Sequence, residues 1–332
     1  MTLPNIHIFW IGSRPNSKVI ENLSKWNSKY GSILRFWSTK DAEYFDKYFV
    51  PPSNWPMAMV VDLYRVMAVR DFGGWYCDAD SIPGDIELPT SNKVLLVLEE
   101  SKRFCNGFFF APEGHPFLNH WLSEIESSTK MDSSSLADVP SITGPYALSR
   151  AIYTYALLHG NQISKRDLAS LPISFALFSR KNSNNKNADR IRKKRGVVHF
   201  AEASWNPIKG VHSQTSYLSS TLYQLRRSKL SFTIEILRHM VLNSRLLPTQ
   251  RWKFYLLNNM DNRIIDRAKN WNSVSILIED ESYVWWAVSN LSIGRITSTN
   301  PKIQKQLNFA GWKEYRTNEW LRPRVTKLVG KY

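Results

Sequence analysis

The sequence predicts an α/β protein in which a single mixed sheet is flanked by helices. Strand and helix patterns alternate: Ile6–Ile11 is a run of strand formers, Ser17–Tyr30 carries apolar residues at helical spacing, and Ile33–Trp37 is strand-like again. This alternation is typical of layered domains with a largely parallel sheet. The chain has 332 residues, 43% of them hydrophobic, which is enough for a sizeable buried core.

The next elements repeat the alternation. Met57–Phe72 is an almost continuously apolar segment followed by Gly73-Gly74, a typical stop signal, so we expect a helix there. Trp75–Asp78 then reads as a strand. The remaining predictions for this part of the chain are a turn and two strands, at Ser81–Gly84, Val94–Leu98 and Gly107–Ala111.

The composition excludes several classes of protein. Two cysteines, Cys77 and Cys105, are too few for a disulfide framework or a four-thiolate zinc site. Apolar runs such as Val94–Leu98 are much shorter than the ~20 residues that span a bilayer. The segment Met1–Ile6 lacks the basic and apolar regions of a secretory signal. We therefore expect a cytoplasmic protein.

Charge divides the chain unevenly. Residues 1–205 contain 24 basic and 20 acidic residues, whereas residues 206–332 contain 20 basic and only 8 acidic ones. We expect two domains, residues 1–214 and a basic extension at 215–332 of helical or α+β structure. Its predicted elements are one long helix or two helices within Thr221–Leu247, and two strands at Ser273–Glu279 and Val284–Val288. The extension is expected to face an acceptor or the anionic inner face of the cell membrane; the alternative is a basic surface that only aids solubility.

Two charges interrupt the apolar helix at Met57–Phe72. Asp62 and Arg65 are three residues apart and so lie on the same face. Burying charges costs several kcal/mol per ion unless they are paired or bind a ligand. An intrahelical salt bridge and a polar ligand are both compatible with this pattern.

Asp78 and Asp80 point to a metal site. Carboxylates at i and i+2 on a strand project to the same side, here at the end of a strand, where open α/β sheets bind ligands. A divalent cation relieves the repulsion between them, and hard oxygen ligands suit Mg²⁺ or Mn²⁺, which commonly bring phosphates with them. The sequence therefore predicts a site for a metal-bound diphosphate.

Residues 3–206 resemble a known family, the DXD-containing GT-A glycosyltransferases that include the yeast initiating mannosyltransferase and clostridial toxin glucosyltransferases (family 32-like). The resemblance rests on motifs that occur in the family's order. These are Leu3–Gly12, Asp62 with Arg65, Asp78-Ala-Asp80, Asn106–Pro116, Thr143-Gly-Pro145 and His199–Trp205. It implies a GT-A fold, a nucleotide-sugar donor and a divalent metal cofactor.

The resemblance also implies a role for each matching residue. Trp10 would stack on the nucleotide base. Of the catalytic set, Asp62 and Arg65 would hold the ribose and sugar hydroxyls of the donor, and Asn106 would line the sugar pocket. Asp78, which also contacts the donor, would bind the metal together with Asp80 and His199, while Ser204 and Trp205 would close over the diphosphate. Alternatives remain open for three of them: a core tryptophan at Trp10, a turn asparagine at Asn106 and a structural histidine at His199.

The expected function is a Mn²⁺- or Mg²⁺-dependent retaining transfer of a hexose. The donor is expected to be a UDP-sugar, with GDP open, and the acceptor a glycan or lipid-linked oligosaccharide of bacterial capsule, O-antigen or lipopolysaccharide synthesis. The alternatives are a toxin-like effector that glycosylates a host protein, a nucleic-acid-binding protein and a carbohydrate-binding module. Nucleic acid is the less favoured partner, because the basic tail lacks zinc-ligand spacing and known single-strand recognition motifs.

Overall fold

The computed structural model describes residues 4–12, 14–53, 55–99, 103–129, 139–178, 194–200, 253–255, 274–278, 280–289, 291 and 293–332. The chain forms two compact units, residues 1–205 with 324–332, and residues 206–323. The predicted boundary at 214/215 and the predicted helix Thr221–Leu247 lie outside the described residues, so both stay predictions.

The elements, numbered in chain order, are as follows. The strands are β1 (Ile6–Phe9), β2 (Leu34–Trp37), β3 (Gly74–Cys77), β4 (Ser81–Pro83), β5 (Val94–Glu99), β6 (Arg103–Ala111), β7 (Leu168–Ser170), β8 (Ala176–Phe178), β9 (Val197–His199), β10 (Lys253–Tyr255), β11 (Val274–Leu277), β12 (Ile293–Thr297), β13 (Lys313–Arg316), β14 (Glu319–Leu321) and β15 (Gly330–Lys331). The helices are α1 (Ser17–Tyr30), α2 (Thr39–Asp46), α3 (Met57–Phe72), α4 (Pro116–Thr129), α5 (Val139–Ile142), α6 (Pro145–His159), α7 (Asn161–Asp167), α8 (Val284–Ser289) and α9 (Pro301–Phe309).

The first unit is built on a seven-stranded mixed sheet in the order β15-β7-β5-β6-β3-β1-β2. β6 runs antiparallel to both β3 and β5, and the other pairings in this sheet are parallel. The predicted α/β class, with one mixed sheet flanked by helices, is thereby confirmed. The middle of β6 lies beside the end of β3, with Phe108 opposite Cys77, and this pairing brings Asn106 and Gly107 to the site.

Local sequence signals explain where the helices begin and end. Asn16 caps α1 by accepting a hydrogen bond from the Val19 amide at 2.9 Å. Gly73 ends α3 with a positive φ of 59°, as the Gly-Gly signal predicted. Within the described ranges, no helix is long and apolar enough to cross a membrane.

A buried histidine ties the end of α3 to the sheet. The Trp37 indole N–H donates to His7 Nδ1 at 3.1 Å, so Nε2 carries the proton and donates to the Gly73 carbonyl at 2.9 Å. Burial lowers the pKa of His7 to about 4, and the ring is therefore neutral at pH 7. This contact fixes the end of α3 against β1 and β2.

A second, three-stranded sheet has the order β4-β9-β8. The prediction of a turn at Ser81–Gly84 was wrong, because Ser81–Pro83 pairs antiparallel with β9, Ser81 opposite His199. The Pro-Gly signal favours a turn locally, but it gives no information about a partner strand more than a hundred residues later. That pairing carries His199 to Asp78 and Asp80.

The second unit contains a five-stranded sheet in the order β10-β11-β12-β14-β13. The strand predicted at Ser273–Glu279 is confirmed as β11, whereas the strand predicted at Val284–Val288 was wrong, because this segment forms α8. A short apolar run does not distinguish a strand from a buried helix. Here Val284, Ala287 and Val288 are buried at i, i+3 and i+4, the spacing of one helical face.

We expect Gly74→Ala to destabilise the first unit by an amount on the order of 3 kcal/mol. Gly74 has a φ of +106°, and an added Cβ would collide with the carbonyl oxygen of Asn5, whose backbone accepts a hydrogen bond from Trp75. Thermal unfolding measures the effect.

The matched control is Gly114→Ala. Gly114 has a φ of +68° with no atom within 4 Å of an added Cβ, so it tests the backbone strain alone, about 1–2 kcal/mol. Equal losses for the two variants would contradict the close approach at Gly74.

Candidate active site

Three segments of the sheet meet at one edge. Asp78 directly follows β3, and its backbone N–H donates to the carbonyl of Gly107 in β6 at 2.9 Å. Asn106, one residue earlier in β6, lies at the same edge because the two strands are antiparallel. Ligands bind outside the carboxyl ends of strands in open α/β sheets, and β1 and β3 both end here.

Helix α3 brings the Asp62–Arg65 pair to this edge. Asp62 is 4% exposed and Arg65 is 7% exposed. The Arg65 Nη2 atom lies 2.7 Å from Asp62 Oδ1, so the intrahelical salt bridge exists. The pair does not end there, since Arg65 Nη1 also donates to the Asn106 carbonyl at 3.0 Å and lies 3.3 Å from Asp78 Oδ1. A single guanidinium therefore joins α3, β6 and the end of β3.

Two further donors complete the environment of Asp62. Asn106 Nδ2 donates to Asp62 Oδ1 at 2.9 Å, and the Thr143 hydroxyl donates to Asp62 Oδ2 at 2.7 Å. Burial raises the pKa of Asp62, and the Arg65 charge and the Thr143 and Asn106 hydrogen bonds oppose that rise. The Thr-Gly-Pro motif contained Thr143, but nothing in the sequence connected this hydroxyl to Asp62.

Tyr76 is a site residue that the sequence analysis missed. Its hydroxyl donates to Asp78 Oδ1 at 2.6 Å, and the Arg65 guanidinium lies 4.5 Å from its ring centre. Burial raises the pKa of Tyr76 well above its usual range, so the hydroxyl remains a donor. Its position two residues before Asp78, on the same side of the strand, was the available signal.

Asp78, Asp80 and His199 converge as predicted. His199 Nε2 lies 3.1 Å from Asp78 Oδ2 and 3.1 Å from Asp80 Oδ1. One ligand atom from each residue lies within 4.8 Å of the other two, a spacing that could hold a metal ion. The Asp78 side chain is 25% exposed, more than those of Asp80 and His199, which are 16% and 11% exposed.

Opposite charges hold the side chains of the cluster together. Burial alone would raise the pKa of Asp78, but the Arg65 charge and the His199 hydrogen bond outweigh it and bring that pKa to about 2. Burial lowers the pKa of His199, whereas the Asp80 and Asp78 carboxylates raise it to about 10. The imidazolium thus supplies positive charge between two carboxylates.

The donor set fits a divalent cation. Two carboxylate oxygens and one imidazole nitrogen suit Mn²⁺ or Mg²⁺, with the nitrogen favouring Mn²⁺ of the two. Bound to a metal, the imidazole would be neutral. Glycine at position 107 is part of this fit, because an added Cβ would collide with Asp78 Oδ2.

The remaining predicted residues are less well defined by the structure. Trp10 follows β1, is half-buried and packs against the main hydrophobic core, with its backbone N–H bonded to the Trp37 carbonyl at 3.0 Å. Its stacking on a base stays a prediction. Ser204 and Trp205 lie outside the described residues.

Comparisons with known proteins gave structural likenesses only. No protein-family model matches the sequence, and no curated protein matches it. Among solved structures, the chain is similar to the PaToxG glycosyltransferase at 18% identity and a TM-score of 0.37, covering 47% of this chain and 71% of that one.

Two further solved structures are similar over comparable lengths. The catalytic domain of alpha-toxin from Clostridium novyi matches at 11% identity and a TM-score of 0.30, over 48% of this chain and 64% of that one. A glycosyltransferase involved in glycosylation of the major capsid of PBCV-1 matches at 15% identity and a TM-score of 0.34, over 60% of this chain and 94% of that one.

Gly107→Ala should weaken metal binding while the protein stays folded. The added Cβ meets the far end of the Asp78 side chain, which can rotate away and so leave the cluster. Mn²⁺ titration calorimetry measures the loss, which we expect to be about tenfold or more in affinity. Gly114→Ala serves as the control, and wild-type Mn²⁺ affinity in Gly107→Ala would contradict the geometry.

Thr143→Val should destabilise the protein by about 1–3 kcal/mol, because the buried Asp62 carboxylate loses one donor without a substitute. Thr143→Ser keeps the hydroxyl and should retain most of the stability. Thermal unfolding of the two variants makes the comparison. A valine variant as stable as the serine variant would show that this hydrogen bond contributes nothing.

Proposed function

We propose that this chain is a metal-dependent retaining glycosyltransferase that moves a hexose from a nucleotide-sugar to an acceptor hydroxyl. The observation that carries the proposal is the meeting of two groups of side chains at one sheet edge. Asp62, Arg65 and Asn106 form a buried polar network, and Asp78, Asp80 and His199 form a cluster that could hold a cation.

The polar network is suited to binding a sugar. A sugar ring presents hydroxyls that both donate and accept hydrogen bonds, and here a carboxylate, a guanidinium and an amide lie within one set of contacts. Their mutual hydrogen bonds fix these side chains before the substrate binds, so little conformational entropy is lost on binding. Arg65 connects this network to Asp78, and would therefore align the sugar with the diphosphate end of the donor.

The transfer breaks the bond between the anomeric carbon and the leaving phosphate oxygen and forms one to the acceptor oxygen. The retention that the family resemblance implies favours attack on the same face, with the acceptor proton passing to the leaving phosphate. Asp78, Asp80 and His199 would hold a divalent cation, which would supply positive charge to stabilise the leaving phosphate. The chain's own part is to hold the donor, orient the acceptor and exclude water.

The donor nucleotide and the acceptor are the finer parts of the proposal. The family resemblance favours UDP, and the basic 206–332 segment, with 20 basic and 8 acidic residues, favours an acceptor at an anionic surface, such as a lipid-linked oligosaccharide of capsule or lipopolysaccharide synthesis. A toxin-like effector would use the same site but modify a protein side chain. Identifying the modified acceptor separates the two.

A thermal-shift screen of UDP- and GDP-sugars, with and without Mn²⁺, tests the proposal directly. We expect one nucleotide-sugar to raise the unfolding temperature only when Mn²⁺ is present, because a ligand of the folded state stabilises it by mass action. Asp80→Asn should remove that metal-dependent shift and lower transfer or donor hydrolysis by on the order of a hundredfold.

The matched control is Asp85→Asn. Asp85 is an exposed acid five residues further along the chain, outside the cluster, and its variant should behave as wild type. Wild-type activity in Asp80→Asn would overturn the metal assignment. A wild-type protein that no nucleotide-sugar stabilises would overturn the proposed function.

A further inference from the structure

Side chains on one face of α1 donate hydrogen bonds to the backbone of the Asp-Ala-Asp loop. Lys18, Asn22 and Trp26 are spaced four residues apart and so lie along the same side of the helix. Asn22 Nδ2 donates to the Ala79 carbonyl at 3.2 Å, and Trp26 Nε1 donates to the Ser81 carbonyl at 2.9 Å. Helix α1 therefore holds the backbone of the loop that carries Asp78 and Asp80 at two points, Ala79 and Ser81.

Lys18 stands one turn before Asn22, in the first turn of α1. Its half-buried side chain places Nζ 5.3 Å from the ring centre of Phe200, the residue after His199. The Phe200 backbone N–H donates to the Asp80 carbonyl at 2.9 Å. The ammonium thus lies beside the segment that joins Asp80 to His199, although Lys18 belongs to an element that no motif singled out.

The charge balance of the site favours a further cation at this position. The carboxylates Asp62, Asp78 and Asp80 exceed the guanidinium of Arg65 by two charges, which one divalent cation would balance. A diphosphate adds further negative charge, and that charge requires another cation nearby. Lysine suits phosphate as a compact point charge with three donors on a flexible stem.

We propose that Lys18 binds the diphosphate of the nucleotide donor. Lys18 belongs to α1, whereas Arg65, the other cation of the site, belongs to α3. This inference rests on the proposed function. It adds a binding residue from α1 to a site otherwise formed by α3, β3, β6 and β9, and it makes the first helix a part of donor recognition as well as a support for the loop.

The test is titration calorimetry with UDP, GDP, uridine and guanosine at fixed Mn²⁺, using the full chain. Lys18→Gln should lower the affinity for whichever nucleoside diphosphate the wild type binds by about tenfold, the order of one charge-assisted hydrogen bond. The affinity for the corresponding nucleoside should not change. Lys18→Arg keeps the charge and should retain most of the affinity, which guards against a fold defect in Lys18→Gln.

Lys25→Gln is the matched control. Lys25 lies on the same helix, but its Nζ bonds Glu21 at 2.7 Å on an exposed face, so its removal should not alter diphosphate affinity. Unchanged diphosphate affinity in Lys18→Gln, or an equal loss for nucleoside and diphosphate, overturns the inference alone. A wild-type protein that binds neither diphosphate overturns the proposed function and this inference together.

Discussion

The guanidinium of Arg65 is the group on which the arrangement of the site depends. It is buried, and it contacts two carboxylates from different elements, Asp62 on α3 and Asp78 after β3. Removing one partner from a buried ionic network leaves an uncompensated charge, which costs more than the network itself gains. The positions of α3, β3 and β6 at this edge are therefore coupled through a single side chain.

The antiparallel strand in an otherwise parallel sheet has a direct consequence for chemistry. In a purely parallel arrangement, only residues that follow strands would collect at the carboxyl edge. Because β6 runs in the opposite direction, Asn106 and Gly107 in its middle join Asp78 there. Asn106 supplies an amide donor to Asp62, and Gly107 supplies space for the Asp78 carboxylate, two functions that require neighbours on the same edge.

The cluster of Asp78, Asp80 and His199 depends on a second, smaller sheet. β9 places His199 opposite Ser81, so the imidazole reaches the carboxylates on either side of Ala79. Ser81 supports the same turn, since its hydroxyl donates to the Asp78 carbonyl at 2.6 Å. The loop is thus fixed by backbone contacts on several sides.

Local patterns in the sequence determined much of the first unit. Hydrophobic periodicity and the Gly-Gly stop located α1, α3 and β3, and the isolated charges of α3 and the Asp-Ala-Asp motif indicated four of the residues that meet at the site. These signals are local, since propensity and spacing act within a few residues. Only the tertiary structure decided the rest: Thr143 and Tyr76 as partners of the site's carboxylates, β4 as a strand, and α8 as a helix. Each of these depends on a neighbour that is distant in sequence or on which face is buried, and the free energy of those contacts exists only once the chain has folded.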